Sequence, residues 1–173
     1  MPYAIELYLD DESSTQVEKI QKKFQENGIN IDKGTKPHVS LSIYQDIPLE
    51  SFSKELKSFA KKIRPFEVTF SNIGVFTNDK PIIFLAPKIT KKLLNVHTNF
   101  HYYFEKFDDS VWDHYRPSRW VPHCTLCMNL TEDMFSKSTK FLRDITFPIE
   151  ARFEKIGILE FSPNKQLMKY KLG

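Results

Sequence analysis

Apolar positions along the chain repeat with two different periods. Tyr3–Leu9 (YAIELYL) alternates, with Ala4, Glu6 and Tyr8 on one face and Tyr3, Ile5, Leu7 and Leu9 on the other, which predicts a strand. Asp10-Asp11-Glu12-Ser13-Ser14 then offers cap residues and first-turn acids. Val17, Ile20 and Phe24 recur at helical spacing, and Gly28 supplies a stop. A second helix begins around Pro48, with Leu49, Phe52, Leu56, Phe59 and Ile63 as its apolar stripe and Lys54, Lys57, Lys61 and Lys62 on a solvated face. Residues 66–76 and 81–86 read as a hairpin around Thr77-Asn78-Asp79-Lys80. A third helix from Lys88 to about Phe107 carries Leu93, Val96, Phe100, Phe104 and Phe107. A fourth opens at Thr131-Glu132-Asp133 and bears Met134, Phe135, Phe141 and Leu142. Residues 148–161 and 166–172 close the chain as two strands joined by Ser162-Pro163-Asn164-Lys165. The predicted order is β-α-β-α-β-β-α-β-α-β-β, an α+β protein with mostly antiparallel strands.

Two further strands carry the chemistry. Pro37-His38-Val39-Ser40-Leu41 and Pro122-His123-Cys124-Thr125-Leu126 are near copies, about half the chain apart. Side chains alternate in a strand, so His38 and Ser40 share a face, as do His123 and Thr125. One His-x-Ser has no meaning by itself. Two copies, each preceded by Pro and followed by Leu, point to two similar lobes that each bring an imidazole and a hydroxyl to a shared cleft.

These residues resemble the signature of the two-histidine phosphoesterase superfamily, the LigT-like or 2′-5′ RNA ligase group, with its pair of His-x-Thr/Ser motifs. The resemblance covers most of the chain in layout. It implies a bilobal fold of two pseudo-symmetric antiparallel-sheet lobes, helices outside and a central cleft. It implies a metal-independent phosphodiesterase acting on a 2′,3′-cyclic phosphate or a 2′-5′ linkage of a nucleotide or RNA terminus. By family analogy His123 is the base and His38 the acid. Imidazoles suit both roles because their ordinary pKa, about 6.5, lies near working pH. Ser40 and Thr125 are candidate phosphate donors, since a hydroxyl donates without adding charge. Leu126-Cys127-Met128 lacks the basic residue common there in the family, which favours a small cyclic phosphate or nucleotide over a long RNA.

The Asp108–Trp120 segment (DDSVWDHYRPSRW) has no clean periodicity and leads into the second motif. Arg116 or Arg119 can meet phosphate bidentately and Tyr115 or Trp120 can stack on a base, although a core role for the tryptophan and a surface role for the arginines fit equally well. His97 and His101 stand four apart on the third helix without a third ligand nearby, which predicts surface or interface histidines rather than a metal site. Cys124 and Cys127 form a C-x-x-C within a strand, where positions three apart face opposite ways, so both are read as core thiols.

Composition narrows the rest. Residues 1–173 fit a single domain. The net charge of +3 is compatible with an anionic ligand and too small to require nucleic acid. No signal peptide and no membrane-length apolar run are present, so a cytoplasmic monomer without cofactor or metal is expected. The rival from another class is a nucleotide- or RNA-binding module that uses the same cleft without turnover. If both motifs were purely structural, their histidines would be buried and hydrogen-bonded, and replacing them would lower stability.

Overall fold

The computed structural model describes residues 1–173, with strands β1 (Tyr3–Leu9), β2 (His38–Tyr44), β3 (Phe66–Phe76), β4 (Ile82–Pro87), β5 (Cys124–Cys127), β6 (Ile149–Glu160) and β7 (Lys165–Lys171). The helices are α1 (Asp11–Glu26), α2 (Leu49–Lys62), α3 (Lys91–Tyr103) and α4 (Glu132–Leu142). Their order along the chain is the predicted one. Local chemistry sets the helix starts. Asp10 caps α1 by accepting from the Ser13 amide at 3.0 Å, Thr90 caps α3 and Thr131 caps α4. Pro48 sits one residue ahead of α2, where its missing N–H costs nothing. Gly28 follows α1 with φ of 75°, a conformation that favours glycine. The third helix stops at Tyr103, short of the predicted Phe107; a 3-10 turn at Glu105–Ser110 leads into the segment without periodicity, which holds a second at Asp113–Tyr115.

All strands join one seven-stranded antiparallel sheet in the order β2-β1-β6-β3-β4-β5, with β7 also on β6. The two lobes implied by the repeated motif are the halves of this sheet, β2-β1-β6 and β3-β4-β5. They are continuous because β6 is long enough to pair with β1 from Phe153 to Glu160 and with β3 from Ile149 to Phe153.

β2 and β5, the ends of that order, carry the two motifs and approach one another: the Cys124 thiol lies against the backbone of His38. Neither outer edge is bare. Tyr44 bridges Val111, and the Trp112 amide donates to the Ile43 carbonyl at 2.8 Å, covering β2. Ile31 bridges Cys127 and the Met128 amide donates to Asn30, covering β5. Occupied edges of this kind protect a sheet from pairing with other chains.

One cluster of 35 buried apolar residues runs through the molecule. Phe59 of α2 packs edge-on against Phe100 of α3, and Phe52 stacks on Phe104 at 4.6 Å. Each such ring contributes roughly 1.5–3 kcal/mol by leaving water. No helix is long and apolar enough to cross a membrane.

Candidate active site

The site is built by strand register. Glu6 in β1 lies opposite Ser40 of β2 on one side and Gly157 of β6 on the other. In the second half Phe84 of β4 lies opposite Thr125 of β5 and Gly74 of β3. Directly opposed residues in antiparallel strands share a face. The two halves therefore present matching rows, Gly157–Glu6–Ser40 and Gly74–Phe84–Thr125. Both glycines are required by close approach. A Cβ on Gly74 would lie 2.2 Å from the Phe84 ring, and one on Gly157 would lie 2.4 Å from the Met168 carbonyl and 2.9 Å from Tyr8.

His38 and His123 are oriented identically. His38 Nδ1 lies 2.7 Å from the carbonyl of Lys36, and His123 Nδ1 lies 2.8 Å from the carbonyl of Val121, in each case two residues upstream. A carbonyl only accepts, so each Nδ1 carries a proton and each Nε2 is the atom left for chemistry. The hydroxyl residues are anchored in parallel fashion. Trp120 Nε1 donates to the Ser40 carbonyl and Gln21 Nε2 to the Thr125 carbonyl, both at 3.0 Å, which fixes the backbone under each hydroxyl.

The surroundings of the two imidazoles are opposite. His123 sits among rings, with Phe76 edge-on at 4.9 Å and Phe84 at 5.4 Å. Desolvation holds its pKa below the usual value, and the charge of His38 pushes the same way. His38 instead places Nε2 3.1 Å from Oε1 of Glu6. Glu6 is 1% exposed, and burial raises its pKa against the opposing pull of His38. Thr35 donates to Glu6 Oε2 at 3.2 Å, and Tyr8 packs beside His38 with its hydroxyl donated to Gln166.

A sequence model of the 2′-5′ RNA ligase superfamily matches residues 8–164. The chain belongs to that superfamily. A protein named as a phosphoesterase from Oceanobacillus iheyensis is 24% identical over 174 residues, covering 99% of this chain and 96% of the relative. The crystal structure of TT0787 of Thermus thermophilus superposes with a TM-score of 0.72 at 16% identity, covering 99% and 98% of the two chains. E. coli LigT complexed with 3′-AMP superposes at 0.65 with 14% identity, covering 99% of each chain. The LigT-like architecture is thus shared along the whole chain.

Within this superfamily member, the other residues singled out from the sequence fall differently. Trp120 is 9% exposed, stacks on His97 at 3.7 Å and spends its N–H on Ser40, so it supports β2 and offers no open ring to a base. Arg119 binds Asp113 at 2.8 Å, and Arg116 binds Asp113 and Asp108, so both guanidinium groups are already paired. Tyr115 lies near Glu6: burial, then that charge, pushes its hydroxyl up to about 12.

His97 and His101 are not surface residues. They are 2% and 6% exposed, and His101 Nε2 donates to the Leu41 carbonyl at 3.1 Å. Burial pushes His97 down to about 3 and lowers His101 as well. Cys124 and Cys127 are free, buried thiols, each pushed up to about 12 by burial. No three His, Cys, Asp or Glu side chains gather to hold a metal ion.

Two features escaped the sequence reading. Glu6 is one. The other is the lysine cluster beside it, where Lys155 opposes Tyr8, and Lys169 opposes Gly157 and covers the Tyr8 ring at 4.1 Å. Desolvation, then Lys155 and Lys36, depress the Lys169 amine. An open groove of about 780 Å³ extends from this cluster between α1 and residues 31–36.

Proposed function

We propose that this protein is a phosphodiesterase that opens a 2′,3′-cyclic phosphate or cuts a 2′-5′ linkage on a nucleotide or RNA terminus. His123 removes a proton from the attacking water and His38 protonates the leaving ribose oxygen. Ser40 and Thr125 donate to the non-bridging phosphate oxygens as charge shifts onto them. The observation that carries this reading is the pair of imidazoles with equivalent Nδ1 anchors and opposite surroundings, one among aromatic rings and one on a carboxylate. Such a difference separates a base from an acid at one pH.

Lys155 and Lys169 bring positive charge to the side of the cleft near His38, whereas the arginines, like Lys36 on Glu18, are already paired. Tyr115 remains the aromatic candidate for contact with substrate. One chain supplies every group, which fits a single-domain monomer. That a LigT crystal holds 3′-AMP, a nucleotide with phosphate on a ribose oxygen, agrees with a product of this kind.

The test is phosphorus NMR of nucleoside 2′,3′-cyclic phosphates incubated with wild type, His38→Ala and His123→Ala in excess chelator. Appearance of a 2′- or 3′-monophosphate with wild type alone is expected. Tight binding of the cyclic phosphates without turnover would replace the enzyme reading with that of a binding module.

A further inference from the structure

Glu6 does not belong to either repeated motif, yet it makes the shortest side-chain contact of His38 outside the residues flanking that motif. Hydrogen-bond accounting constrains this contact. The Lys36 carbonyl takes the Nδ1 proton of His38. A neutral imidazole so placed has a bare Nε2, and that lone pair would face a carboxylate oxygen at 3.1 Å. Two acceptors at this distance repel, so the contact closes only with a proton between them. We propose that Glu6 and His38 hold one proton in common and that this pair, rather than His38 alone, is the general acid of the site.

The inference rests on the phosphodiesterase reading for its role in turnover, and on geometry alone for the shared proton. The surrounding groups come from several elements. Thr35 before β2 donates to the carboxylate and favours its charged form, Tyr8 on β1 lies beside it with its hydroxyl turned to Gln166, and Asp32 repels its charge. Lys169 on β7 attracts it, with Lys155 and Lys36 behind. Tyr115 and His123 complete the set, one facing Glu6 and the other His38. A carboxylate this buried does not ionise without a partner, and a titration inside such a pair belongs to both members.

The step balances. Water bonds to phosphorus and gives a proton to His123 Nε2. The P–O bond to the leaving oxygen breaks, and that oxygen takes the shared proton through His38 Nε2. The pair is left as neutral imidazole and carboxylate, then regains a proton from solvent while His123 releases its own. The matching row in the other half has Phe84 at the position of Glu6, so only one of the two histidines is given this reservoir.

The experiment combines a pH–rate profile with ¹⁵N NMR of the His38 ring in wild type, Glu6→Gln and Glu6→Asp. In Glu6→Gln the Nε2 proton is expected to be lost at lower pH, and the rate limb that falls toward alkaline pH to move down by roughly one unit or more. Its kcat/KM is expected to fall about 10- to 100-fold at neutral pH. Glu6→Asp, which keeps a carboxylate, should recover the wild-type limb. If the Nε2 proton of His38 titrates identically in wild type and Glu6→Gln, the shared proton is refuted, even where the rate falls, because Glu6 would then act through packing. Failure of wild type to open any cyclic phosphate refutes the phosphodiesterase reading instead, and the NMR titration still decides the pair.

Discussion

The two halves of the sheet carry the same Pro-His-x-hydroxyl-Leu strand, the same Nδ1-to-carbonyl anchor and the same side-chain bond to the hydroxyl residue's carbonyl. They differ at the centre of the neighbouring strand, where one half has Glu6 and the other Phe84. A repeated backbone thus delivers two equivalent imidazoles, and a single unlike position gives them different protons. Burial among rings holds the pKa of His123 below its usual value, while His38 shares a proton with a buried carboxylate. Symmetry positions the pair, and broken symmetry assigns the work.

The largest expected effect comes from removing either imidazole. His38→Ala and His123→Ala should each lower kcat/KM by about 10²–10⁴-fold, the range for a general acid or base. Melting temperature should change little in His123→Ala and fall in His38→Ala, which strips the buried Glu6 of its partner. A variant that keeps its rate breaks the comparison at its root, and a collapse in the melting temperature of His123→Ala would recast that motif as structural.

The paired glycines sharpen it next. Gly157→Ala sets a Cβ against the Met168 backbone carbonyl, which cannot swing aside, whereas Gly74→Ala meets the Phe84 ring, which can. Overpacking of this kind costs roughly 1–3 kcal/mol, with Gly157→Ala expected to be the more damaging in thermal denaturation. Gly74→Ala should instead shift the titration of His123 upward, because its aromatic cover is displaced.

Acid stability separates the catalytic histidines from the buried ones. The folded-state pKa of His97, about 3, and that of His101 lie below the value of an unfolded histidine. The stability tied to these neutral rings is present above about pH 6.5 and is lost as pH falls toward 3. Melting temperature should drop over that window, and His97→Phe, which keeps an aromatic partner for Trp120, should flatten the drop.

The smallest effect is expected for Arg119→Ala. An exposed pair such as Arg119–Asp113 is worth less than about 1 kcal/mol, and KM should barely move. A marked rise in KM would restore to Arg119 the phosphate contact it offered in the sequence.

Most elements were legible because their patterns are local. Alternation in YAIELYL, the caps at Asp10 and Thr131 and the stripe of α2 need no tertiary knowledge. The two motifs were legible because they repeat. Glu6 was visible as the one charged residue in an apolar strand, but alternation alone assigns its face to water, and the groups that gather around it, Thr35, His38 and Tyr115, come from distant parts of the chain. His97 and His101 follow Leu93 at helical spacing and adjoin Val96, Phe100 and Phe104, so the apolar stripe of α3 already contained them. Their burial was masked by polar chemistry. Arg116 and Asp113 stand three apart, but the segment has no helical period to show that they meet, and only the 3-10 turn at Asp113–Tyr115 brings them together. The lysine cluster, drawn from β6, β7 and the loop before β2, could be seen only once the strands were in register.

The most direct test is ¹⁵N NMR of both catalytic imidazoles in the unliganded wild type across the pH range. His123 Nε2 is expected to lose its proton first, while the Glu6–His38 pair still holds its own at a pH where His123 is bare. Simultaneous loss at the two sites, or loss from the pair first, would contradict the division of labour between them.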